Sequence, residues 1–158
     1  MKRVVPILLV LSFCLLALAG CGGKSAGAKT LDLEAFADEV AQSVEYDDEL
    51  IALTQNNVAH YYKLPESGVN AWKILVSATS GTTNELAVFE CADAKALGDV
   101  KAAVEKRLET QRANYENYIP AEIARIDDAL IKTSGNYLLF SVSDHNDAVE
   151  KLFDAALK

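Results

Sequence analysis

The chain has 158 residues, 51% of them hydrophobic and 24% charged, which are the proportions of one folded domain of moderate size. Recurrent aliphatic and aromatic residues exclude a disordered chain, and three cysteines are too few for a disulfide scaffold. Lys and Arg number 15 against 23 Asp and Glu, a formal charge of -8, the wrong sign for gripping nucleic acid by its phosphates, so no nucleic-acid partner is expected.

Met1, Lys2 and Arg3 make a short basic start, and residues 4–18 are apolar apart from Pro6 and Ser12. That is the form of a secretory leader, too short for a spanning helix of about 20 apolar residues and lacking a charged stop-transfer flank. It closes on Leu18, Ala19, Gly20 and Cys21, which resembles the lipobox of bacterial lipoproteins. The resemblance implies that the Cys21 thiol receives a diacylglyceryl group and that a signal peptidase cuts between Gly20 and Cys21. The alternative is an ordinary secretory signal cut nearby, with Cys21 a bystander. Residues 1–20 are then the signal peptide and 21–29 a lipidated tether. The acyl chains on Cys21 would hold the protein at the extracytoplasmic face of the cell membrane.

Loss of Lys2 and Arg3 leaves 13 basic and 23 acidic side chains, a balance of -10, so the body is not drawn to an anionic lipid surface. Residues 22–29 have a flexible composition and span roughly 15 Å as a coil. The folded domain is expected over residues 30–158. Cys14 leaves with the leader and Cys21 is acylated, so Cys91 remains alone and reads as a small buried hydrophobe.

Asp32 is placed to cap a helix with Leu33, Phe36, Ala37, Val40 and Val44 on one face. Residues 45–62 suggest a short helix and then a short extended piece, with a turn at 54–57. Residues 71–79 read as a strand, 80–83 as a hairpin connection and 84–91 as a second strand paired with the first. Asp93 is then expected to cap a long helix with Leu97, Val100, Val104, Leu108 and Tyr115 on one stripe and Lys101, Glu105, Lys106, Glu109 and Arg112 in water. Pro120 suits the first turn of a short helix carrying Ile123 and Ile126. Residues 129–133 turn through Ser134 and Gly135 into a strand over 136–142. Asp144, with Asp147 three residues on, is expected to cap the final helix through Val149, Leu152 and Phe153.

Phe89 precedes Asp93 by four residues, and Phe140 precedes Asp144 by four. The chain therefore reads as two strand–strand–helix units behind a leading helix, each pair antiparallel because its loop is short. The expected fold class is α+β: an antiparallel sheet of four to five strands covered by helices. The strand Asn84-Glu85-Leu86-Ala87-Val88-Phe89, the step Tyr118-Ile119-Pro120 and the segment Gly135-Asn136-Tyr137-Leu138-Leu139-Phe140 make the region from Leu33 onward resemble a family of small uncharacterised lipoproteins of Gram-positive bacteria, known only as a domain of unknown function. That resemblance implies location and fold and no catalytic residue.

Little in the sequence points to a reaction. His60 and His145 stand in separate segments without further ligands at metal-site spacing. No metal, no cofactor and no catalytic residue is assigned. His145 reads as a surface residue. Glu45, Asp47, Asp48 and Glu49 lack the central Gly and distal Glu of a calcium loop, and helix capping and solvation account for them. No nucleophile elbow or phosphate-binding loop is present. Glu85 and His60 are the candidate ligand contacts. Glu85 shares a strand face with Ala87, Phe89 and Cys91, and the alternative for it is an ion pair with Arg107 or Lys73. The alternative for His60, beside Tyr61 and Tyr62, is edge packing. The expected function is a lipid-anchored module binding an envelope protein or a small ligand. An envelope hydrolase using an Asp/Glu pair, or a structural envelope protein, is the alternative.

Overall fold

The computed structural model describes residues 30–158. The leader, the lipobox residues Leu18, Ala19, Gly20 and Cys21, and the tether up to Lys29 lie outside the described residues. Asp32 accepts a hydrogen bond from the Ala35 N–H at 3.1 Å and starts α1 (Leu33–Ser43), which buries Leu33, Phe36, Ala37 and Val40. The elements that follow are β1 (Leu50–Ala52), α2 (Val58–Tyr61), β2 (Val69–Ser77), β3 (Glu85–Cys91), α3 (Ala94–Tyr115), α4 (Glu122–Asp127), β4 (Leu130–Ser134), β5 (Tyr137–Val142) and α5 (Asn146–Ala156).

The fold is α+β, with a leading helix and five strands in one open sheet of order β1-β2-β3-β5-β4. Every neighbouring pair is antiparallel. β3 and β5 are central, and their runs of buried residues demand cover on both faces. The two strand–strand–helix units, β2–β3–α3 and β4–β5–α5, each supply cover to a different face. On one, Ile74, Ala87, Phe89 and Phe140 pack with Val100 and Val104 of α3 and Tyr62 behind α2. On the other, Leu75, Leu86, Val88 and Leu139 pack with Phe36 and Val40 of α1 and Phe153 of α5. Each large apolar side chain so buried is worth about 1.5–3 kcal/mol.

Two glycines take left-handed backbone. Gly135, at φ +55°, and Asn136 form the two-residue connection between β4 and β5, a turn that requires positive φ. Gly68, at φ +88°, enters β2 with no room for a side chain, since an added Cβ would lie 2.7 Å from that of Ala96.

Three expectations are corrected. Between residues 45 and 62 the strand comes first and the helix second: Leu50, Ile51 and Ala52 pair with Ser77, Val76 and Leu75, extending a sheet edge that the acidic run does not reveal. Pro120 stands two residues before the first residue of α4, outside the helix. Asp144 does not cap α5. His145 occupies that position without a side-chain cap bond, and the Asp144 carboxylate is turned to Arg125, which donates from Nε at 3.0 Å and Nη2 at 2.8 Å in a two-pronged charged contact.

Candidate binding cleft

Position 85 opens β3 on the face that α3 covers, and the antiparallel register sets it opposite Val76 and Val142. An acid there is removed from water entirely, at a cost that only good partners offset. Arg107, from the middle of α3, donates to Glu85 from Nε at 3.0 Å and from Nη2 at 2.8 Å. Gln111, one turn on, adds Nε2 at 2.9 Å, and Tyr62 donates its hydroxyl from the opposite side. Burial, then the neighbouring Glu85 charge, pushes the Tyr62 hydroxyl well above its ordinary pKa, so it remains a donor. Lys73 takes no part, because its position opposite Val88 puts it on the other face of the sheet, where it pairs with Glu34.

Above this cluster lies a cleft of about 430 Å³, within the size range of small-ligand sites. Its floor is Val76, Arg107 and Gln111, and its walls are Tyr61 of α2, the β2–β3 turn and the end of α3. Ile51, Tyr61 and Tyr118 are the large apolar side chains left exposed among the described residues, and all three line it. Scattered exposed apolar residues are ordinary, whereas these three converge on one concavity. The Arg107 guanidinium stacks over the Tyr61 ring at 5.0 Å, and Tyr115 props Tyr118 edge to face at 6.3 Å. Gln111 is buried, and its Oε1 has no hydrogen-bond partner among the described residues. Such an unmet acceptor costs about 1–3 kcal/mol unless something donates to it.

The wall formed by the β2–β3 turn is braced from outside. Asp48 accepts from the Ser77 hydroxyl at 2.6 Å and from the Thr79 N–H at 2.9 Å. Those bonds lower its pKa to about 2. Glu122 of α4 accepts from the N–H and hydroxyl of Thr83, both at 2.8 Å. Arg125 joins Glu122, Asp144, Asp47 and the Thr82 hydroxyl. Asp47 and Asp48 thus serve as braces for a turn, where helix capping and solvation were expected.

His60 is exposed on α2. It lines neither this cleft nor the concavity of about 710 Å³ on the far side of Tyr62, next to Trp72. His145 is exposed as well. Cys91 is buried, and burial, with the charges of Asp93 and Glu90, raises its pKa, which makes it a poor nucleophile. Among the described residues no group of three or more His, Cys, Asp or Glu side chains is gathered as a metal site. Sequence reasoning named Glu85 and its partner Arg107 but missed Gln111, Tyr115 and Tyr118 as parts of one surface. Only the spacing of Arg107, Gln111 and Asn114, which share a helix face, could have signalled it.

Residues 42–143 match the model of a family described as a domain of unknown function, DUF4358. The chain belongs to this family. The DUF4358 match spans all five strands and every residue lining the cleft, while most of α1 and all of α5 fall outside it. No curated protein and no solved structure matches the chain significantly.

Proposed function

We propose that this DUF4358 protein is a lipid-anchored module at the extracytoplasmic face of a membrane, and that it binds an envelope protein or a small ligand in the cleft between α2, α3 and the β2–β3 turn. The sequence of Leu18, Ala19, Gly20 and Cys21 at the end of an apolar leader supports the anchor. The single observation that carries the binding reading is the convergence of Ile51, Tyr61 and Tyr118 over an unpartnered Gln111 acceptor. A hydrolase reading draws less support from this site. No Asp or Glu lines the cleft, and all the donors around Glu85 are committed to holding it in place.

The test is a photoreactive amino acid placed at position 118 of the full-length protein in cells, with position 133, exposed on β4, as the control. A reproducible adduct from 118 and none from 133 is the expected result. Equal labelling from both positions, or none from 118 in membranes where the protein is abundant, contradicts the assignment.

A further inference from the structure

We infer that the cleft recognises a neutral sugar ring, of the kind an envelope glycan exposes; the inference rests on the cleft being the binding surface proposed above. Charge comes first. Arg107 is the one charged residue of the lining, and its charge is matched by Glu85 directly beneath it. The pair is neutral in sum, so the cleft offers an anionic ligand no unmatched positive charge and a cationic one no carboxylate. A neutral ligand needs neither.

The polar groups then select among neutral ligands. Arg107 commits Nε and Nη2 to Glu85, and no hydrogen bond engages Nη1 among the described residues. Gln111 commits its Nε2 to the same carboxylate and leaves Oε1 buried and without a partner just behind the lining. The amide cannot turn over, because Oε1 would then face the Glu85 oxygen. A fixed donor and a fixed acceptor therefore stand one helical turn apart, with the Asn114 amide on the same helix face beyond them. Each sugar hydroxyl both donates and accepts, so a hydroxylated ring that seats against this helix face carries the chemistry both groups call for.

The rims suit the rest of the ring. A pyranose offers a flat C–H face to aromatic surfaces, which carry an apolar body and a polar edge. Tyr61, held by the guanidinium, and Tyr118, 65% exposed and propped by Tyr115, supply such surfaces. An extended peptide fits less well. Of β1 only Ile51 reaches the cleft, so the strand's free edge offers no hydrogen-bonding ladder inside it.

The experiment is calorimetric titration of the detergent-purified full-length protein with chitotetraose, cellotetraose and maltotetraose. At least one should bind with a Kd of about 1 mM or tighter. Tyr118→Ala and Gln111→Leu should each weaken it about tenfold or more, while Thr133→Ala leaves it unchanged. Tyr118 is a surface residue, so its variant keeps the test valid if Gln111→Leu does not fold. Absence of binding to all three sugars, or binding that survives Tyr118→Ala, overturns the inference. A polypeptide adduct from position 118, with no sugar bound, overturns the sugar assignment alone and leaves the cleft as the binding surface.

Discussion

Glu85 is a carboxylate with no exposure to water, and its five hydrogen bonds come from three side chains on two separate segments. Removing one member leaves the others buried and unmet, which in comparable pairs costs about 3–5 kcal/mol. Glu85→Gln should therefore lower the urea midpoint by an amount equivalent to about 3 kcal/mol. An unchanged midpoint would mean that the cluster is not holding α3 to the sheet. Asp48 gives the pH counterpart. Its pKa in the folded protein, about 2, lies below its value in an unfolded chain. Its contribution to stability is therefore complete above about pH 4 and lost as pH falls through about 2. Urea midpoints measured from pH 5 to pH 2 should fall, and Asp48→Asn should flatten part of that fall. Glu85 was legible in the sequence because an acid inside an apolar strand demands an explanation. Gln111 was not, because the sequence reading passed from Leu108 to Tyr115 along the apolar stripe and left unweighed the uncharged amide that sits between them at the same helical spacing. Only the fold shows that one of its donors is spent on Glu85 while its oxygen is buried without a partner.

Elements long enough to show their own period were read as the right type in the right order, although β2 runs two residues earlier than the 71–79 expected. α1, α3, β2, β3 and β5 each carry enough apolar repeats to declare themselves. β1 and α2, three and four residues long, fall short of that. Their order is decided by pairing with β2 and by packing of Val58 and Tyr62 into the core. Capping shows the same division. Asp93 accepts from the Ala96 N–H at 2.8 Å, so Asp93→Ala should cost about 1 kcal/mol through loss of the cap. Asp144→Ala removes no cap from α5, and its effect should come through Arg125 and shrink as salt is added. Thermal midpoints of the two variants at low and high ionic strength separate the cases: a salt-sensitive loss is expected for Asp144→Ala and a salt-insensitive one for Asp93→Ala.

At the scale of the whole molecule, a strongly acidic body is built around a sheet covered on both faces. No described helix is long and apolar enough to cross a membrane. In the proposed reading, the attachment lies in the acyl chains on Cys21, joined to the body through a tether of roughly 15 Å. Cys21→Ser should abolish acyl labelling and leave the protein released or stalled as unprocessed precursor. Continued acylation of that variant would remove the basis for the anchor. The fold class was legible as a whole because strand pairs and helices alternate cleanly along the chain. The cleft was not, because its walls come from segments scattered between Ile51 and Tyr118 that only the tertiary structure brings together. Hydrogen exchange of the protein in its native membrane, compared with the purified protein in detergent, tests the central claim most directly. The account expects added protection over β1, α2 and residues 107–118 in the membrane sample alone. Equal exchange there in both samples, or protection confined to β4 and α5, would contradict it.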